Sequence, residues 1–263
     1  PCTILLNNDL SGGIPPILEN VYEQALLPPL HAGWALRRKS NHLKAFDEVA
    51  KKFGKLIDID PWLVNPLHSK CGEVDLRENV GTEELADNVS ALLSKIKKKY
   101  KEYGMKERKP FVILKPDAGT YGMGVMTIKD ASEVRDLTPA QRARMSVIKD
   151  GVAVTDLIIQ EGVPTHESID DAVAEPVVYM IDRYVVGGFY RVHAERGIDQ
   201  NLNSPGSQYV PLAFAQQHAV PDLKAKPGTA APNRFYVYGV VARLGMLAAS
   251  LEMERTDPNP EVY

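Results

Sequence analysis

The residues with the clearest chemical potential lie in the segment Phe111-Val-Ile-Leu-Lys115-Pro-Asp117-Ala-Gly119-Thr-Tyr121-Gly122-Met-Gly124-Val125. A lysine that ends an apolar run is a positive charge held in place by a strand. Glycines at 119, 122 and 124 let backbone N–H groups approach phosphate oxygens without obstruction by side chains. Lys115, Gly119, Thr120, Tyr121, Gly122 and Gly124 together suit the phosphates of a nucleoside triphosphate. The order G-x-x-G-x-G is not a Walker A loop, which requires Gly-Lys-Ser/Thr, nor the G-x-G-x-x-G of dinucleotide-binding folds. Taken alone, the segment reads equally well as a tight hairpin whose glycines satisfy turn geometry.

A second group is Leu36-Arg37-Arg38-Lys39-Ser40-Asn41-His42, which puts three cations at the start of a helix capped by Ser40. The helix dipole and its free N–H groups favour an anion there, and Arg37 and Arg38 suit a substrate carboxylate. An exposed basic patch that holds surface acids is the other reading. His42 and His193 read as structural hydrogen-bonding residues, because neither has a carboxylate paired with it in sequence. Cys71, in Lys70-Cys71-Gly72-Glu73, reads as a small buried hydrophobe rather than a nucleophile. Glu252 and Glu254 are the nearest acids after the last apolar helix. If that helix continues through Arg255, both are ordinary solvated residues.

These groups need elements to position them. Thr3-Ile-Leu-Leu-Asn7 predicts a strand, Ser11-Gly12-Gly13 with Pro15-Pro16 a loop, and residues 17–27 a helix. Leu43, Phe46, Val49, Ala50 and Phe53 give the helix after Ser40 an apolar face, and the Pro- and Gly-rich residues 58–81 predict a loop. Thr82 opens a long amphipathic helix with Leu85, Val89, Leu92, Leu93, Ile96 and Tyr100 on one face. Gly104 is placed to end it, and the lysines between 95 and 101 lie on its solvated side. Strands follow at 111–115, 122–128 and 156–163, with two short helices between the second and third. Their starts are marked by Asp130 with Glu133 and by Thr138 with Pro139 and Gln141, both at capping-box spacing. Residues 177–180 and 184–192 predict an antiparallel hairpin, 197–233 polar loops, and 235–253 an apolar helix. The one plausible domain boundary falls near 104–110.

With 263 residues, 44% hydrophobic and 25% charged, the chain has the composition of a globular protein of one large or two modest domains. A formal charge of -3 lacks the basic surplus that a nucleic-acid or acidic-membrane partner needs, so a small-molecule partner is expected. Two cysteines exclude a disulfide framework, and no Cys/His spacing fits zinc, so a reducing cytoplasm is the expected location. No apolar run approaches the roughly 20 residues of a membrane span.

The order of the parts is similar to the ATP-grasp superfamily. Strand, Lys115, glycine-rich hairpin and strand are followed by helices and a strand ending Ile158-Ile159-Gln160-Glu161-Gly162. The resemblance implies that Gln160 and Glu161 form the hinge that meets adenine and ribose. It also implies that the hairpin through Arg191 brings a cation to the reacting phosphate, and that Asn201-Leu-Asn203 is the loop that follows it. More narrowly, Lys-x-Asp-Ala-Gly-Thr-Tyr-Gly-Met-Gly from Lys115, Pro-Val-Val-Tyr-Met-Ile-Asp-Arg-Tyr-Val-Val-Gly-Gly-Phe-Tyr-Arg-Val-His ending at His193, and Leu-Arg-Arg-Lys-Ser-Asn-His from Leu36 resemble the proteobacterial glutamate-cysteine ligases, over residues 4–254.

That resemblance implies an α/β (α+β), ATP-grasp-like fold, with residues 1–108 as an N-terminal α/β substrate-side domain and 109–263 as the nucleotide-binding and catalytic region. It implies ATP and Mg2+, glutamate and cysteine as substrates, Lys115 and Arg191 as catalytic residues, and Arg37, Arg38, Asn201 and Asn203 as substrate contacts. The alternatives are another acid and amine pair, or a nucleotide-binding module without turnover. Where the superfamily places Glu-x-Asn at its metal, this chain has only Glu252 and Glu254. Members of the family are longer than this chain, so residues are expected to be missing at the ends or within the polar loops. The sequence says nothing of oligomeric state.

Overall fold

The computed structural model describes residues 2–7, 9–21, 23–119, 124–146, 148–149, 152–153, 155–211 and 234–258. The chain forms two compact units, each assembled from separated stretches. One draws on Pro1–Ala45, Pro66–Gly162 and Leu251–Tyr263, the other on Phe46–Asn65 and Val163–Ser250. The first unit thus takes residues from both sides of position 108. No described helix is long and apolar enough to cross a membrane.

In the first unit, β1 (Thr3–Leu5) pairs in parallel with β2 (Ala25–Leu27). The helix predicted over 17–27 does not form; a single 3-10 turn at Pro16–Leu18 gives way to the strand. A short helix depends on burying its apolar face, and Ile17 is 84% exposed. Pro28 also disfavours helical backbone at Leu27, while β1 offers hydrogen bonds to an extended chain. The next element, α1 (Lys39–Ile57), starts here and runs on into the second unit; Ala45, Val49 and Ala50 are its buried positions. Within the expected loop at 58–81 lies β3 (His68–Cys71), which has no apolar run to announce it. α2 (Thr82–Glu102) buries Leu85, Val89, Leu92, Ile96 and Tyr100, as its periodicity predicts. It ends as predicted at Gly104, which is left-handed at φ 70°. Gly104 N–H donates to Lys101 O and Met105 N–H to Tyr100 O, a Schellman termination.

The strands β4 (Val112–Pro116) and β5 (Met126–Ile128) follow. Then come α3 (Ser132–Arg135), α4 (Pro139–Met145), the small pair β6 (Ile148–Lys149) and β7 (Val152–Ala153), and β8 (Leu157–Glu161). Thr138 and Gln141 form the full capping box of α4. Ahead of α3 only half of the box appears: Glu133 accepts from the Asp130 N–H, while Asp130 turns its carboxylate to Ser132.

The antiparallel order β3-β8-β4-β5 makes a four-stranded sheet. Residues opposite one another share a face, so Val112, Leu114, Leu157, Ile159 and Glu161 lie on one side with Cys71. α2 covers that side, with Asn88 Nδ2 3.7 Å from Cys71 Sγ. Ile113, Lys115, Ile158, Gln160, His68 and Lys70 lie on the other. Gly162, just past β8, has no room for a side chain. A Cβ there would sit 2.0 Å from Cε2 of Phe111, itself buried. Gly162→Ala is therefore expected to cost about 3 kcal/mol by overpacking, read as a lower urea midpoint with unchanged slope.

In the second unit, β9 (Glu167–Ile169), β10 (Ala172–Ile181), β11 (Tyr184–His193) and β12 (Gln208–Pro211) form an antiparallel sheet in the order β12-β11-β10-β9. The predicted hairpin is β10 and β11, longer at its start than its sequence pattern, with a bulge between Tyr179 and Met180. β12 falls within the stretch predicted as polar loop; the pairing of Tyr209 with Arg191 and of Val210 with Tyr190 recruits it. The rest of that stretch, 212–233, lies outside the described residues. α5 (Arg234–Thr256) is the last element and returns the chain to the first unit.

Candidate functional site

The β4–β8 register places Ile113 opposite Gln160 and Lys115 opposite Ile158, so Lys115 and Gln160 are diagonal neighbours on the face away from α2. The Lys115 ammonium donates to Gln160 Oε1. Burial pushes Lys115 below the usual lysine value, and among the described residues no carboxylate pairs with it. A half-buried cation whose described partner is a neutral amide carries a desolvation cost that a nearby anion would offset. Two described residues of the glycine-rich segment have left-handed backbone, Gly119 at φ 93° and Gly124 at φ 66°. Thr120, Tyr121 and Gly122 lie outside the described residues.

Glu161, next to Gln160, points to the opposite face, as alternation along a strand requires. It is buried; its Oε2 accepts from the Leu67 N–H at 2.8 Å, and its own N–H donates to Leu67 O at 2.7 Å. It therefore pins the approach to β3 against β8.

At the start of α1, an acid of the chain itself meets the helix N-terminus. Asp117, two residues after Lys115, is buried, and its two oxygens each accept at 2.7 Å from Ser40, one from the N–H and one from Oγ. Ser40 thus lies inside the helix, with Asp117 as its cap. Lys70 reaches Asp156 at 2.6 Å and Asp117 at 3.3 Å, and the hydrogen bond to Asp156 leads in raising its pKa. Neither Asp117, Lys70 nor Asp156 was singled out by sequence reasoning. The proximity of Asp117 to Lys115 in Lys-Pro-Asp was the one available signal.

Arg37 makes a two-pronged contact with Glu252, at 2.9 and 2.6 Å, and stacks over Trp34 at 5.0 Å. His42 Nδ1 lies 3.0 Å from the same carboxylate, a pairing across 210 positions that sequence could not reveal. Arg38 donates to the carbonyls of Ala35, Leu36 and Arg37. α5 does continue through Arg255, yet Glu252 is only 1% exposed while Glu254, two residues on, is exposed. Burial alone would raise the Glu252 pKa. The hydrogen bonds from His42 and Arg37, with the Arg37 charge, hold it below the usual carboxylate value. Glu252 and Glu254 therefore do not fit a shared magnesium site: one is saturated by a cation and a histidine, the other faces away around the helix. Among the described residues no His, Cys, Asp and Glu group is placed to hold a metal ion. Cys71 is buried, and burial pushes its thiol pKa up, which fits the reading of a small hydrophobe.

In the second unit, Arg191 sits directly opposite Glu175 across β10 and β11 and donates to it through Nη1, while its Nε is buried without a partner among the described residues. Asn201 and Asn203 are exposed and bond each other: the Asn203 N–H donates to Asn201 Oδ1 at 3.0 Å. His193, buried, accepts from the Glu195 N–H through Nδ1 and so donates through Nε2 to Pro205 O, at 3.0 Å. It is structural, as expected, and ties the asparagine loop to the end of β11.

Comparison with known proteins gives the same direction as the motifs. The profile of the family described as GshA, glutamate-cysteine ligase, matches residues 1–253. A protein named as a gamma-glutamylcysteine synthetase from Methylobacillus flagellatus KT has a crystal structure that is 60% identical in sequence with TM-score 0.85. The match covers 97% of this chain and 60% of that one, so this chain spans about 60% of that relative's length. The D-cycloserine synthetase DcsG is a looser likeness, 15% identical over 89% of this chain and 57% of that one, with TM-score 0.39. Among curated proteins no match is found. With the Lys115 segment, the Arg191 hairpin and the Arg37 segment all inside a profile match that spans nearly the whole chain, this protein belongs to the glutamate-cysteine ligase family.

Proposed function

We propose that this chain carries the ATP-binding part of a ligase that joins the side-chain carboxylate of glutamate to the amine of cysteine, on an ATP-grasp-like scaffold. The observation that supports this reading most is Lys115: a half-buried ammonium with no carboxylate partner among the described residues, held beside Gln160 and followed by glycines with left-handed backbone. A carboxylate resists attack by an amine until it has a leaving group. In the proposed reaction a glutamate carboxylate oxygen attacks the γ-phosphorus of ATP, the bond to the β-phosphate oxygen breaks, and ADP leaves. The cysteine amine then attacks the acyl carbon, phosphate departs, and the amine loses its proton to solvent.

Lys115 and the amides of the glycine-rich segment are assigned to the ATP phosphates, Gln160 with the Glu161 backbone to the base, and Arg191 to charge on the transferring phosphoryl group. Opening of the Arg191–Glu175 pair would release that guanidinium. Arg37, Arg38, Asn201 and Asn203 are the proposed substrate contacts; for Arg37 this requires exchange of Glu252 for a ligand carboxylate. Magnesium is expected with the nucleotide; among the described residues no group of three or more His, Cys, Asp or Glu side chains is placed to hold it.

Phosphate release from ATP and magnesium chloride, measured with glutamate, cysteine, both, and other amino-acid pairs, tests the proposal. Release that needs glutamate and cysteine together is expected. Release with a different pair would move the chemistry to other substrates, and nucleotide binding with no release under any pair would mark a module without turnover.

A further inference from the structure

We propose that Lys39 is a positioning residue for residues 116–119, which open the glycine-rich segment, fixing their backbone before nucleotide arrives; the inference rests on the nucleotide reading above. Lys39 is the first residue of α1, and its ammonium lies 2.8 Å from Pro116 O, 3.2 Å from Ala118 O and 2.9 Å from Gly119 O. An ammonium can donate three hydrogen bonds, and these three carbonyls come from the four residues that follow Lys115. The same short stretch is anchored at three further points: Lys39 N–H to Asp117 O at 2.9 Å, Ser40 to the Asp117 carboxylate, and Asp117 N–H to Asp156 O at 2.9 Å.

A structural lysine would normally lie along the surface with its charge in water or on an acid. Here the ammonium also donates to backbone carbonyls at the start of the segment whose amides are assigned to phosphate. In a trans peptide the C=O and the following N–H point in opposite directions. Turning the Ala118 carbonyl onto Lys39 therefore aims the Gly119 N–H away from Lys39. Gly119 holds φ 93°, which a side chain would resist, and without the clamp a glycine samples many other conformations. Donors that are already oriented need no reorganisation when the anion binds, so the clamp tightens nucleotide binding without touching the nucleotide. It also explains why a lysine, rather than an arginine with its planar fork, follows Arg37 and Arg38: the three carbonyls surround a point.

The test is the dissociation constant for ATP, set beside the melting temperature without ATP, for Lys39→Met, Lys39→Arg and Lys115→Met. Lys39→Met is expected to weaken ATP binding about tenfold in protein that is still folded, as loss of orientation in a site does. Lys39→Arg is expected to fall between Lys39→Met and the parent. If Lys39→Met lowers the melting temperature but binds ATP as the parent does, Lys39 is a structural cap and the proposal is overturned. Should Lys39→Met not fold, Lys39→Arg decides, and parental affinity there overturns it. Parental ATP affinity in Lys115→Met overturns the nucleotide reading itself. Loss in Lys115→Met with parental affinity in Lys39→Met overturns only the role of Lys39.

Discussion

Replacing Lys115 with methionine is expected to weaken ATP binding about a hundredfold while leaving the fold as stable as the parent or slightly more so. The two effects have one cause. Lys115 keeps its charge in a half-buried place on the sheet where its described partner is the neutral Gln160 side chain, and burial already lowers its pKa. Methionine fills similar space without that cost. A triphosphate supplies the missing negative charge, so the interaction lost on substitution is one between a desolvated cation and an anion.

The linkage sign follows. Bound phosphate favours the charged amine and raises its pKa, so binding takes up a proton at pH values above the lowered pKa of the free protein. Affinity in the parent should decline as pH rises through that value, below the usual lysine value of about 10.4. In Lys115→Met this decline should vanish. Calorimetric titration with ATP in two buffers of different ionisation enthalpy measures the proton uptake. Equal heats for parent and variant at alkaline pH would remove Lys115 from the phosphate site.

The second large effect is on stability. Glu252→Gln is expected to cost about 3 kcal/mol, the lower end for breaking a buried ion pair, because Arg37 and His42 keep some contact with water. Glutamine retains the shape and one acceptor, but it cannot take both prongs of Arg37 together with His42. The pH dependence separates this from a packing defect. The pKa of Glu252 is depressed in the folded protein, so its contribution is fully present above the unfolded carboxylate value of about 4.3 and is lost as pH falls through the folded value. The parent should therefore lose stability more steeply than Glu252→Gln below about pH 4. Denaturant midpoints from pH 7 downward test this, and parallel curves for the two proteins would show that the charge of Glu252 contributes nothing.

The elements that sequence located were those with a local signature. α2 is legible because its apolar residues recur at helical spacing and Gly104 supplies the left-handed stop; α4 is legible because Thr138 and Gln141 cap each other within one turn. β4, β8 and the hairpin β10–β11 are apolar or β-branched runs of strand length. β3 and β12 were missed for the opposite reason: His68-Ser-Lys-Cys71 and Gln208-Tyr-Val-Pro211 become strands through a neighbour's hydrogen bonds, not through their own composition. The false helix at 17–27 had the spacing but nothing to bury its face against.

The Lys115 to Gly124 segment stands out in sequence because a strand, a lysine and three glycines are contiguous, but alone it fits a tight hairpin equally well, and the family resemblance needed the Arg191 hairpin and the Arg37 segment beside it. Sequence alone determined that a cation and permissive backbone stand side by side, and that Arg37, Arg38 and Lys39 precede a helix. Only the tertiary structure decided which charges are already matched. Arg37 finds Glu252 across 215 positions, Ser40 finds Asp117 across 77, and Lys39 turns to three carbonyls of the glycine-rich segment, whereas Lys115 is left with Gln160. Period and capping act over a few residues, so they can be read along the chain. Charge pairing acts through space, so partners 77 and 215 positions apart could not be read along the chain.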